Sequence, residues 1–356
     1  MNVLLLLGAL GVSFLAGCVF IPILLKLSHR FNWYDDTNHR KIHTGDIPRI
    51  GGVGIFLAFL LGFFLWRLVL PLFGDYLPTG KHLWPLLAGG FIIHLTGLYD
   101  DFRNIRALYK LLLQIAAACL VVFTGHTVGT VYLPFFNVEV FLGPVGYILA
   151  LVWIVGVSNA VNLIDGMDGL SSTVSASVLL GLGVFFLSRG FLLSAALSFS
   201  LLGGILAFFI YNRPPAKLFM GDSGSLLIGF LLASLPLMES THSDSIAFLL
   251  TITLLLIPIL DTFAAMTRRI RRNIPVHAPD KEHLHHKLID LGLPVNKILI
   301  LVLGLSLFLV AVVLLWVFLP GLLASCCLAA SWVLTLLFFL ALHRQAHKKK
   351  AKDQSA

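Results

Sequence analysis

Charge is what this chain has least of. Asp, Glu, Lys and Arg make up 12% of its 356 residues and hydrophobic residues 58%, where a soluble chain carries about a quarter charged residues. That shortage excludes a soluble domain of any size, since no stretch between the apolar runs is long and polar enough to enclose one. Cysteine is scarce too. Cys18, Cys119, Cys326 and Cys327 all lie inside apolar segments, which excludes a disulfide framework or a thiolate metal site and leaves packing. No basic residue precedes "LAGC" (15–18) and an apolar run follows it, so the first run reads as an uncleaved span rather than a lipoprotein leader. A repeat of 20–50 residues is also missing, although the span count would permit an inverted repeat.

What is present is a series of apolar runs of about 20 residues, each able to cross a bilayer. They fall near 3–25, 50–73, 83–99, 109–125, 144–160, 172–188, 191–210, 225–239, 246–267, 297–317 and 322–342. The sequence therefore predicts an all-α polytopic membrane protein of eleven transmembrane helices, or ten if the pair around "SRG" (188–190) is one hairpin. Of 25 Lys and Arg, 22 fall on one side of that arrangement; Arg67, Lys81 and Arg189 do not. By the positive-inside rule the N-terminus is outside and the C-terminus cytoplasmic. The stretch 128–143, with β-branched and aromatic residues around Pro134 and Asn137, reads as a small β-hairpin on the outer face. Residues 1–343 form a single integral membrane domain, and 344–356 a solvated basic tail that favours anionic lipid.

Acids and amides play no part in that orientation, yet they converge on the cytoplasmic side. Asp100 and Asp101 end the third span, where a helix C-terminus disfavours negative charge. Adjacent carboxylates also repel each other. A divalent cation or a lysine would relieve both effects, and Lys110 is a candidate. A pair of interfacial acids marking a helix end is the plain alternative. "NAVNLIDGMDGL" (159–170) follows the fifth span and offers Asn159, Asn162, Asp165 and Asp168. Asp-Gly pairs form turns, and a turn can offer carboxylates and backbone N–H groups to a ligand. The alternating acids and distant Glu of a Ca²⁺ loop are missing. In "FMGDSGS" (219–225), Asp222 could cap a helix. Beside two other acidic clusters it reads better as a hard metal ligand, because Mg²⁺ takes one or two carboxylates plus water and phosphate oxygens.

The loop after the ninth span joins Arg268, Arg269, Arg271 and Arg272 to His283, His285 and His286. Positive-inside charge explains most of the arginines, and no Cys or further well-spaced ligand completes a zinc site. Beside metal-binding acids, arginine with clustered histidine suits phosphate oxygens. Acids for Mg²⁺ and bases for phosphate at a membrane surface imply magnesium-dependent phosphoryl chemistry on a lipid. A proton-coupled transporter is the rival class, but it would place its acids near mid-span.

In this order, "RKIHTGDIPRIGG" (40–52), "DD" (100–101), "NAVNLIDGMDGL", "FMGDSGS" and "HLHH" (283–286) resemble the polyprenyl-phosphate N-acetylhexosamine-1-phosphate transferases. The resemblance spans most of the chain. It implies that Asp222 binds Mg²⁺ (or Mn²⁺) with Asn162 near metal and diphosphate, and that Asp100 and Asp101 handle the lipid phosphate. It further implies Lys110 near the phosphates, Asp165 and Asp168 around the uridine pocket, and Phe219 stacked on uracil. Leu284 interrupts the histidines, as in the bacterial GlcNAc-1-phosphate transferases and unlike the phospho-MurNAc-pentapeptide transferase. The implied donor is UDP-GlcNAc and the implied acceptor undecaprenyl phosphate, in the cytoplasmic membrane of a bacterium, at the first membrane step of a cell-envelope polysaccharide. Another UDP-HexNAc donor, the pentapeptide transferase reaction and a homodimer stay open; nothing calls for nucleic acid.

Overall fold

A computed structural model describes residues 2–34, 47–73, 83–133, 135–240, 246–275, 282–319 and 321–355. Residues 40–46 of the "RKIHTGDIPRIGG" stretch lie outside them. The described residues form thirteen α-helices: α1 (Asn2–Phe31), α2 (Gly51–Val69), α3 (Leu83–Arg103), α4 (Ala107–Phe123), α5 (Pro144–Ile164), α6 (Leu170–Ser188), α7 (Leu192–Asn212), α8 (Gly221–Ser240), α9 (Ile246–Leu254), α10 (Leu256–Arg271), α11 (Leu284–Asp290), α12 (Val295–Phe318) and α13 (Gly321–Ser355). Every predicted span coincides with helix, as continuous apolar runs must where lipid offers the backbone no hydrogen bonds. Eight helices are long and apolar enough to cross a membrane, and α9 with α10 make a ninth if that bent pair is one span. The other two segments, α3 and the 17-residue α4, are more polar or shorter.

The predicted hairpin is present. Strands β1 (Thr130–Leu133) and β2 (Val138–Phe141) pair antiparallel, Thr130 opposite Phe141 and Leu133 opposite Val138.

Helix α8 is the hub. It packs against α3, α5 and α2, and 89% of its most apolar window is buried, against 28% for α13. Small residues bring the neighbouring backbones close, as membrane helix packing favours. A side chain at Gly97 of α3 would strike the Asp222–Ser223 backbone. On the far side of the bundle α1, α2 and α7 pack together, and α6 joins α7 to α12.

One element differs from the sequence reading. The single span at 246–267 is broken: α9 and α10 meet at a 70° bend. Pro258 explains the break, since it lacks the N–H that would bond Leu254 and its ring clashes with that carbonyl. The basic tail continues α13 as helix through Ser355, with Arg344, Gln345, His347, Lys348 and Lys349 exposed. Leu342 and Ala346, one turn apart, are buried where α13 packs on α10 and α11.

Candidate active site

Helix ends build the site. Helix α3 ends, α8 begins and α5 ends at one end of the bundle, and their polar residues touch. Asp100 accepts the Ile105 N–H on Oδ1 at 2.8 Å, which shapes the turn into α4, and Lys110 Nζ on Oδ2 at 2.9 Å. The same Nζ donates to Asp222 Oδ2, and Asp222 Oδ1 accepts from Asn162 Nδ2 at 2.9 Å. Asn162 also donates to Ser225 Oγ at 2.9 Å. Lys110 thus supplies the relief that the acids at the end of α3 require. Its side chain keeps 19% of its surface open, Asp100 15% and Asp222 24%, so the cluster remains reachable by a ligand.

The paired aspartates divide their work. Asp101 turns away from Asp100 and accepts the backbone N–H of Asp222 at 2.8 Å and of Ser223 at 3.0 Å. It caps α8 from another helix, where the positive end of that helix's dipole favours a carboxylate. Gly221 has φ +71°, and a side chain there would collide with this carboxylate. The "MGD" turn therefore needs glycine both for its backbone and for space.

The 159–170 stretch also separates into parts. Asn159 sits one turn deeper than Asn162, donating to Gln114 Oε1 at 2.7 Å and to the Val155 carbonyl at 2.8 Å. The structure engages it in an amide clasp between α4 and α5. Asp168 is buried and accepts the Ala216 N–H at 2.9 Å. Asn212 reaches the same loop, accepting the Gly169 N–H at 2.9 Å and donating to the Leu218 carbonyl at 3.0 Å. Together they fix the 213–220 segment, whose Phe219 backbone pairs with Pro48 and Gly51. Phe219 is half-buried at this end of the bundle.

Asp165 stands apart. No hydrogen bond or ion pair reaches its side chain among the described residues. Burial, reinforced by the Asp222 and Asp101 carboxylates, holds its carboxyl well above the usual range against the pull of Arg49.

The histidine loop closes over this turn. Asp261 of α10 accepts from His283 Nδ1 at 2.9 Å and from the Leu284 N–H at 2.8 Å, and so anchors α11. The His285 ring then lies against Gly166, where a Cβ would come within 2.7 Å of Cε1. His285 is 2% exposed, and among the described residues neither ring nitrogen has a partner. Burial, with the neighbouring His286, lowers its pKa to about 3, so it is neutral at physiological pH. The His286 ring sits 4.2 Å from that of His285. Of the arginines, Arg268 and Arg272 lie 3.6 and 2.7 Å from Glu282, Arg271 is exposed and Arg269 is buried. Local pattern missed Asp261, although an acid inside an apolar run is a signal. It also missed Arg49, within a stretch quoted for other reasons, and Gln114, inside the apolar run at 109–125.

The acids of the quoted motifs thus sit at helix ends, and the motifs quoted from five parts of the sequence meet. Sequence comparison agrees with that convergence. Residues 83–240 match glycosyl transferase family 4, and a probable undecaprenyl-phosphate N-acetylglucosaminyl 1-phosphate transferase of Bacillus subtilis is 35% identical over 283 residues, 79% of this chain and 76% of its own. The chain belongs to the polyprenyl-phosphate N-acetylhexosamine-1-phosphate transferase superfamily. Within that superfamily it is also similar to a decaprenyl-phosphate N-acetylglucosaminephosphotransferase of Mycobacterium leprae, 32% identical over 78% of this chain and 75% of the relative. An undecaprenyl-phosphate α-N-acetylglucosaminyl 1-phosphate transferase of Yersinia pestis is 28% identical over 85% and 82%. It is a membrane-spanning transferase, and the geometry above describes how such a transferase arranges its polar helix ends.

Proposed function

We propose that the protein transfers GlcNAc-1-phosphate from UDP-GlcNAc to undecaprenyl phosphate on the cytoplasmic face of a bacterial membrane, crossing it eleven times with the N-terminus outside. The observation that carries the reading is the contact set Asp100–Lys110–Asp222–Asn162, with Asp165 beside it lacking a hydrogen-bond donor among the described residues. The names of the relatives supply the substrate class.

An oxygen of the lipid phosphate attacks the phosphorus bearing the sugar. The bond from that phosphorus to the bridging oxygen breaks, and UMP leaves with the electron pair. A phosphate monoester has a second pKa of about 6, so the attacking group is already largely dianionic near pH 7. A strong general base is not required. Asp100 and Lys110 position the attacking phosphate, Lys110 offering the positive charge. Asp101 acts through α8 and does not touch the reacting atoms.

The donor set suits Mg²⁺. Among the described residues no three His, Cys, Asp or Glu converge as a protein-only metal cage, but Mg²⁺ needs only one or two carboxylates when phosphate oxygens and water complete the shell. Asp222 and Asp165 are the carboxylates, and the Asn162 amide lies beside them. When bound, the metal neutralises charge on the diphosphate and on the departing UMP. His285, His286 and Arg271 face the donor, His285 as a neutral hydrogen-bonding group. O-antigen, enterobacterial common antigen and teichoic acid pathways all fit this reaction.

Purified protein in detergent, given radiolabelled UDP-GlcNAc and undecaprenyl phosphate, should yield labelled lipid and UMP in equal amounts only with Mg²⁺. A panel of UDP-sugars identifies the donor. No lipid product from any of them would overturn the proposal.

A further inference from the structure

On α3 the stripe His94, Gly97, Asp101, spaced three and four residues apart, faces the first turn of α8. Asp101 takes the N–H groups of Asp222 and Ser223, and Gly97 lets the two backbones touch. His94 Nδ1 donates to the Ser223 carbonyl at 3.1 Å. The imidazole is 4% exposed and stacks on Phe56, ring centres 4.4 Å apart. His94 belongs to none of the motifs and does not reach the open part of the site.

We propose that His94 is a positioning residue for the transfer reaction: its bond to the Ser223 carbonyl, opposing the hold of Asp101 on the N–H groups, sets where Asp222 stands relative to Asp100. This rests on the function proposed above.

A buried histidine that only fills space would gain nothing from this bond that phenylalanine over Phe56 would lack. The carbonyl has a partner within its own helix, as carbonyls near a helix N-terminus do. The His94 bond is therefore an additional fixed point. With Asp101 it grips one residue from both directions of its backbone, which restrains α8 against rotation and against sliding along α3. Asp100 is carried by α3 and Asp222 by α8, and Lys110 must reach both. A shift of about 1 Å in such a constellation can cost 100-fold in rate. The tautomer that donates from Nδ1 is required, since a carbonyl only accepts.

Three variants separate positioning from filling. His94→Asn places its amide nitrogen near the Nδ1 position; His94→Gln places it near Nε2; His94→Phe keeps the ring stack and loses the donor. His94→Asn should retain kcat within about threefold of wild type, whereas the Gln and Phe variants lose about tenfold or more, with KM for donor and lipid unchanged within about twofold. The Gln and Phe variants should also need several times more Mg²⁺ for half-maximal rate and show a smaller Mg²⁺-induced rise in Tm, a readout that needs no turnover. If His94→Phe does not fold, the Asn and Gln pair decides. Equal behaviour of all the folded variants, or losses that follow Tm without Mg²⁺ alone, would overturn the proposal. A wild type that makes no lipid product and gains no Tm from Mg²⁺ would instead overturn the functional reading, and this inference with it.

Discussion

The aspartate centre and the histidine loop share one end of the bundle but differ in how they are completed. In the centre nearly every polar group has a protein partner: Asp101 holds α8, Lys110 bridges Asp100 and Asp222, and Asn162 reaches Asp222. In the loop, Asp261 anchors one end through His283, yet His285 is buried with both ring nitrogens unpartnered. Buried polar groups without partners cost about 1–3 kcal/mol each, and on the proposed function the donor supplies His285 with the partner it lacks among the described residues. On the function proposed above, the difference predicts that the centre is assembled before substrate arrives, whereas the loop is finished by it.

The sharpest way to break that comparison is at Asp222. Asp222→Asn should lower transfer about 1,000-fold, a loss of about 4 kcal/mol in transition-state stabilisation, while the protein still purifies as a single species. Near-normal rates at saturating Mg²⁺ would remove Asp222 from the site.

A smaller effect divides the aspartate pair. Asp100→Asn should reduce kcat by about 100-fold with little change in Tm. Asp101→Ala should instead destabilise the protein by about 1–2 kcal/mol, as loss of a helix cap does, measured as a lower Tm with and without substrate. Equal Tm losses in both would show that the two carboxylates do not divide their work.

The loop should respond in KM. His286→Ala and Arg271→Lys are each expected to raise the donor KM about three- to tenfold with the lipid KM unchanged, because lysine keeps the charge but loses the two-pronged fork that suits phosphate. Arg271→Lys with wild-type kinetics would leave that arginine a topological charge only.

The smallest effect is in pH. The folded pKa of His285, about 3, lies below the unfolded value of about 6.5. The unfolded chain therefore binds more protons between these values, so the contribution is full above pH 6.5 and is lost as pH falls. Once well below pH 6.5 this single group should cost about 1.4 kcal/mol per pH unit. His285→Gln should flatten the fall in Tm between pH 6 and 5; an unchanged slope would show that the ring is not buried in its neutral form.

How much of this was legible in the sequence follows from distance along the chain. Helices and their polar ends are local properties, visible in apolar run length and in the alternation of Lys and Arg. The break before Pro258 was also written locally, but unbroken hydropathy concealed it. Asp101 capping α8 was not visible, because its partners lie 121 and 122 residues away. The Asn159 amide also bonds Gln114, 45 residues distant, a contact that no local pattern shows. Local pattern identifies which residues are costly to keep; only the fold shows which of them already satisfy one another. Among the described residues, Asp165 and His285 are two that the fold leaves without a hydrogen-bond partner.

Hydrogen–deuterium exchange with and without UDP-GlcNAc and Mg²⁺ tests the central claim most directly. Backbone amides of 283–290 should become much more protected when donor and metal are added, while those of 221–226 should be protected already and change little. Strong new protection at 221–226 with none at 283–290 would contradict a preassembled aspartate centre and a loop completed by its ligand.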